Sequence, residues 1–192
     1  MRRSDETGRL VYVMGASGSG KDSLIDYVRE RLTERCDDLI LIARRYITRP
    51  AEAAGERHVA LSRACFATRQ QAGDFALSWV ANGLGYGIGR EIDDNLLAGR
   101  HVVVNGSRAH FPEAIDRYPT ALPVLIMVDP IMLQARLLAR GRESSCEIAA
   151  RIARACNLTV EHPALQVIHN DGPISSAGEA FLDVIRRLPR IG

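Results

Sequence analysis

The run Gly15-Ala-Ser-Gly-Ser-Gly-Lys21 fits the pattern G-x-x-x-x-G-K and stands between two segments that fix its surroundings. Before it, Leu10-Val-Tyr-Val-Met14 is a short apolar stretch of β-formers stopped by a glycine, which reads as a buried strand. After it, from Lys21 to about Glu34, Leu24, Ile25, Val28 and Leu32 recur at helical spacing. A polyphosphate-binding loop needs this order of strand, glycine loop and helix. Small residues let backbone N–H groups turn inward, the helix N-terminus adds partial positive charge, and a lysine reaches the β- and γ-phosphates. From the chain's own glycine and lysine frequencies, about 0.01 chance matches are expected. Gly15, Ala16, Ser17, Gly18, Ser19, Gly20 and Lys21, with Asp22 and Ser23 behind them, are therefore candidate residues for binding ATP.

Lys21 is also the only lysine among 25 basic side chains; the other 24 are arginines. A position that keeps the slim ammonium where guanidinium is used everywhere else is one that the planar fork does not fit. The next position departs from the pattern, since Asp22 stands where a serine or threonine ordinarily ligates Mg²⁺. A carboxylate is a hard oxygen donor, so Asp22 is the candidate metal ligand, directly or through water. Ser23 is turned about 100° further round the helix and is a poor substitute in that role.

Further along, Leu39–Ala43 reads as a second buried strand and Arg44–Arg63 as a polar connection with turn signals at Pro50 and Gly55. Cys65–Asn82 is read as helical with a break at Gly73, Gly83–Gly89 as a glycine-rich turn, and Glu91–Leu97 as helix. His101–Val104 and Val124–Val128 lack alternation and read as strands buried on both faces. An arginine-rich helical region spans Ile131 to about Thr159 with an interruption at Gly141; Leu165–Ile168 is a last strand and Ile174–Leu188 a closing helix. Strands alternating with helices imply an α/β fold with a doubly wound parallel sheet. Asn105, Ser107 and Arg108 follow the His101–Val104 strand, and the carboxyl ends of strands are where open α/β sheets bind ligands.

Composition narrows the function. A formal charge of +2 gives no concentrated basic face for nucleic acid, and no apolar run approaches the roughly 20 residues a bilayer needs. The four cysteines, at 36, 65, 146 and 156, and the five histidines have no metal-ligand spacing. The expectation is one domain over residues 1–192, soluble and cytoplasmic, monomeric or homodimeric, with small-molecule partners.

Gly15-Ala-Ser-Gly-Ser-Gly-Lys21, Thr48-Arg49-Pro50, Gly55-Glu56, Tyr86-Gly87, Arg140-Gly141 and Asn170-Asp171 occur in the order found in the guanylate kinase-like proteins, and in these residues the chain resembles that family. Lys21-Asp22-Ser23, Arg45-Tyr-Ile-Thr-Arg-Pro50, Asn105-Gly-Ser-Arg108 and Arg140-Gly-Arg-Glu143 are similar to the branch of the family in phosphonate catabolism. The resemblance implies a P-loop NTPase fold with a helical lid near 131–159 and an acceptor-binding region near 44–90. It implies transfer of the γ-phosphoryl of Mg·ATP onto ribose 1,5-bisphosphate, giving 5-phosphoribosyl 1-diphosphate. It places Arg45, Arg49, Glu56 and Tyr86 at the acceptor, Arg140 and Arg151 over the transferred group, and Asn170 beside the adenine. It also sets Leu77 and Ile88 at two positions where guanylate kinases read the base; neither can pair with a purine edge, so the base is poorly discriminated. The rival expectations are a nucleoside monophosphate kinase and a catalytically silent binding module of the same fold.

Overall fold

A computed structural model describes residues 7–34, 38–49, 58–141 and 144–189. The strands are β1 (Leu10–Gly15), β2 (Ile40–Ile42), β3 (Arg45–Ile47), β4 (His58–Ala60), β5 (Phe75–Ala81), β6 (Leu84–Gly89), β7 (His101–Asn105), β8 (Leu122–Met127) and β9 (Gln166–His169). The helices are α1 (Lys21–Glu34), α2 (Arg63–Gln71), α3 (Glu91–Leu97), α4 (Phe111–Arg117), α5 (Pro130–Arg140), α6 (Ser145–Asn157) and α7 (Ile174–Arg186).

Five strands form a sheet in the order β2-β7-β1-β8-β9, all parallel, with β1 at its centre. Because successive side chains of β1 point to opposite faces, Val11 and Val13 enter one core while Leu10, Tyr12 and Met14 enter another. The first core is closed by α1 through Leu24, Ile25, Val28 and Leu32 and by α7 through Ala177, Phe181 and Ile185. The second is closed by Ile92 and Leu96 of α3 and Phe111 and Ala114 of α4. Each fully buried large side chain is worth about 2 kcal/mol against solvent exposure, so the two cores fix β1 and aim its carboxyl end at the loop that follows. Among the described residues no helix is long and apolar enough to cross a membrane.

A second sheet, β4-β3-β6-β5, corrects three expectations. The polar connection after β2 contains β3 and β4, paired parallel to one another. The segment 75–81, read as helical, is the strand β5, and the glycine-rich turn is its antiparallel partner β6. The glycines misled because they look like punctuation, but Gly85 and Gly87 alternate along β6 on one face. A Cβ at residue 85 would crowd the Phe66 ring of α2, and one at residue 87 would crowd Phe75. The other face carries Tyr86 and Ile88 in register with Trp79 and Leu77 of β5 and with Ile47 and Arg45 of β3. Leu77 and Ile88 join the second core, which seats this sheet on the α3 side of the first one.

The region expected as one interrupted helix is the hairpin of α5 and α6. Asp129 caps α5 by accepting from the Ile131 N–H, Gly141 ends it at φ 61°, and Ser144 with Glu147 forms a capping box on α6. The helix α4, together with the 3-10 turn at Arg108–His110, has no counterpart in the sequence reading.

Candidate active site

The loop between β1 and α1 turns at Gly18 (φ 94°) and Gly20 (φ 86°), a region open to glycine and costly for other residues. Lys21 Nζ folds back and donates to the carbonyls of Gly15 (2.9 Å) and Ala16 (3.0 Å), which holds the ammonium over the mouth of the loop. Ser19 is fully buried and Ser17 and Ser23 are exposed. The loop has a buttress from β9's far end: Asn170 Nδ2 donates to the Ser19 carbonyl at 2.8 Å, and Asn170 is 5% exposed. Gly20 packs so closely there that a Cβ would run into the same amide.

Two helices of the hairpin reach the loop from above. Leu133 and Leu137 of α5 face Gly18, and Arg151 of α6 donates from Nη1 to Ser17 Oγ at 3.0 Å. Arg136 of α5 donates to the Asn170 carbonyl at 2.7 Å, so this arginine sits where the loop, the hairpin and the 170–172 turn converge. Its role is a finding of the structure, since nothing in the spacing of the five arginines of that region singles it out. Arg154 reaches further, from α6 to Asn82 Oδ1 at the tip of the β5–β6 hairpin, at 3.1 Å.

Below the loop, Asp22 Oδ1 accepts from Arg45 Nη2 at 2.7 Å and from Asn105 Nδ2 at 2.8 Å. Among the described residues Oδ2 takes no hydrogen bond, and the buried Oδ1 of Asn105 has no partner. Tyr12 fixes the turn after Asn105: its hydroxyl donates to the Ser107 carbonyl and accepts from the Ser107 N–H, both at 3.0 Å, and burial pushes its pKa well above the ordinary tyrosine value. Gly106 is required there because a Cβ would enter the Tyr12 ring. Ser107 is thus held by its backbone at the carboxyl end of β7.

The remaining expected residues are placed as follows. Arg108 Nη1 donates to the carbonyls of Ala155 and Leu158, at 2.9 and 3.0 Å, and so ties the root of α6 to β7's far end; burial lowers its pKa below the usual arginine range. The Arg49 carbonyl oxygen lies 3.3 Å from His58 Nε2, and Thr48 Oγ1 accepts from the Gly85 N–H at 2.8 Å. Tyr86 stacks on Trp79 with ring planes 5° apart and centroids 5.5 Å apart. Arg140 ends α5, but its side chain lies outside the described residues, as does Glu56. A cavity of about 360 Å³ opens under α6 beside the loop, lined by Leu125, Met127, Leu133, Ile152 and Val167 among others. Its lining is mostly apolar, with Arg108 and Thr159 among its members.

No family model matches the chain. It shares its fold with the guanylate kinase of Anaplasma phagocytophilum, at a TM-score of 0.69 and 17% identity over 94% of this chain and 86% of that one. Among curated relatives, the ribose 1,5-bisphosphate phosphokinase PhnN of Pseudomonas fluorescens SBW25 is 53% identical over 91% of this chain and 93% of its own length. That of Desulfomicrobium baculatum is 51% identical over 92% of this chain and 94% of its length. The relative from Laribacter hongkongensis is longer: 53% identical over 92% of this chain, which spans 42% of it. Identity at this level and coverage, on a fold whose loop, buttress and hairpin surround one nest, decides the matter: this chain belongs to the ribose 1,5-bisphosphate phosphokinase PhnN family.

Proposed function

We propose that the chain transfers the γ-phosphoryl group of Mg·ATP to ribose 1,5-bisphosphate, in the cytoplasm and in phosphonate breakdown, giving 5-phospho-α-D-ribose 1-diphosphate and ADP. The observation that carries the reading is a face that offers arginine and tyrosine for phosphate but nothing for a base. Arg45 and Tyr86 share it with Leu77 and Ile88, cross-strand partners that are 4% and 0% exposed and belong to the core. Turned into the core, these two side chains present no donor or acceptor to a purine, whose polar edge would go unpaired at about 1–3 kcal/mol per group. The names of the curated relatives supply the acceptor.

An oxygen of the acceptor's 1-phosphate attacks the γ-phosphorus, and the bond to the β–γ bridging oxygen breaks as ADP leaves. That oxygen is already largely deprotonated at neutral pH, so the chain is asked for positioning and charge neutralisation rather than for a base. Backbone N–H groups of residues 15–22 and Lys21 hold the β- and γ-phosphates. Arg151, from α6, lies beside the loop at Ser17 and closes over the transferred group, with Arg140 assigned the same role. Arg45, Arg49, Glu56 and Tyr86 take the acceptor, Asn105 and Ser107 border it at the end of β7 where Arg108 ties that turn to α6, and the 170–172 turn, held by Arg136 through the Asn170 carbonyl, borders the adenine. The hairpin of α5 and α6 is the lid, and residues 44–90 are the acceptor-binding part of a single domain. Mg²⁺, when bound, would neutralise the charge that develops on the phosphates, and Asp22 with Asn105 would hold it. The residues present fit it: Asp22 Oδ2 and the orphaned Asn105 Oδ1 are two hard oxygens beside the loop.

The test is product identification by phosphorus NMR after incubation with ATP and either ribose 1,5-bisphosphate or GMP. The expected result is a new diphosphate on the sugar and none on GMP. Turnover of GMP alone would overturn the acceptor assignment.

A further inference from the structure

The aspartate in the loop's last position does something that a metal ligand alone would not need to do. A hydroxyl suffices for Mg²⁺ at that place in most such loops, whereas a carboxylate can also hold a guanidinium. Asp22 holds one: its Oδ1 is 2.7 Å from Arg45 Nη2, and the Arg45 side chain is 11% exposed, against 37% for Asp22. The same oxygen accepts from Asn105, so three elements meet on one atom: the start of α1, the start of β3 and the end of β7. Asp26, one turn further along α1, pairs with Arg29 and lines the same small cleft, together with Ile42 and Ala43 at the end of β2. Two carboxylates four residues apart on a helix repel, so a cation facing Asp22 is part of what keeps it there.

We propose that Asp22 is a positioning residue for the acceptor. Its Oδ1 fixes the plane of the Arg45 guanidinium at the border between the phosphate loop and the acceptor sheet, so that Arg45 meets the incoming phosphate already oriented. The loop that binds the donor is thereby tied mechanically to the arginine that binds the acceptor, while Oδ2 stays on the metal side. The inference rests on the reading of Arg45 as an acceptor ligand.

Asp22→Ser separates the two duties, because it restores the ordinary hydroxyl to the loop and removes the contact with Arg45. The expected result is a rise in the acceptor KM of roughly tenfold, as for a misoriented binding group, and larger than any change in the affinity for a fluorescent ATP analogue in Mg²⁺. Arg45→Gln raises the acceptor KM at least as far, and the double variant matches Arg45→Gln alone, since the carboxylate acts through the arginine. An unchanged acceptor KM in Asp22→Ser, or a double variant whose effect is the product of the two single ones, overturns the proposal. A crystal structure of Asp22→Ser decides it independently of any acceptor: the proposal requires a displaced Arg45 guanidinium and falls if Arg45 keeps its place. If the wild-type chain does not turn over ribose 1,5-bisphosphate, the functional reading fails, and the crystal comparison still reports on Asp22.

Discussion

Gly20→Ala is a stringent probe of the phosphate loop because two costs fall on one methyl group. The residue sits at φ 86°, where a Cβ costs about 1–2 kcal/mol against the backbone. The same Cβ would run into Asn170 Nδ2, which is buried and donates to the Ser19 carbonyl. If Asn170 yields, that buried hydrogen bond is lost, for about another 1–2 kcal/mol. The sum is about 2–4 kcal/mol, which for a chain of 192 residues lowers Tm by roughly 5–15 °C. Asn170→Ala alone should cost the hydrogen bond and no strain. The double variant should then cost no more than Gly20→Ala by itself, because the amide that would clash is gone. Urea denaturation of the four proteins measures the coupling, expected at about 1–2 kcal/mol less destabilisation than the sum of the single variants. Strict additivity would refute the idea that Asn170 is the buttress that Gly20 must clear.

On the proposed function, which puts Arg151 over the transferred group, Arg151→Ala should lower kcat by about 10²-fold or more with a smaller change in the acceptor KM; steady-state kinetics read it directly. Ser144→Ala breaks the capping box of α6 and should cost about 1 kcal/mol of local stability, visible as faster hydrogen exchange in that helix while α1 is unaffected. Tyr118 has its pKa pushed up from 10.0 to about 12, first by burial and then by its hydrogen bond to Asp93. Its neutral form is favoured on folding, so the contribution is intact below pH 10 and is lost as the pH rises through about 12. Tyr118→Phe should therefore flatten part of the alkaline limb of stability measured by denaturation between pH 10 and 12, the buried Tyr12 accounting for more of it.

The central parallel sheet and its helices were legible because their signals are local. The apolar run before Gly15, the 3.6-residue spacing from Leu24 to Leu32 and the stripe of Ala177, Phe181 and Ile185 state their partners without a third dimension. The phosphate loop was legible for the same reason, motif and context being contiguous. The second sheet was not, because its strands are short and one face of β6 has no side chains: Gly85 and Gly87 serve the rings of Phe66 and Phe75, residues far back in the chain. Arg108 was read as a ligand from its place after a strand, yet its guanidinium lies on the carbonyls of residues 155 and 158, a contact across 47 to 50 residues that no spacing announces. Tyr12 and Arg136 were missed for a related reason. Each acts on a backbone turn that only folding brings near, Ser107 for Tyr12 and Asn170 for Arg136.

The ammonium that curls onto the carbonyls of Gly15 and Ala16 belongs to the only lysine in the chain. Apart from the terminal amine, reagents and enzymes that acylate primary amines have this one address, and it lies at the mouth of the nest. On the proposed function, acetylation would cancel the charge assigned to the phosphates, and a seated nucleotide would screen the amine from attack. Mass-spectrometric labelling with an amine-reactive ester is thus a single-site footprint of donor occupancy, free of background from the surface.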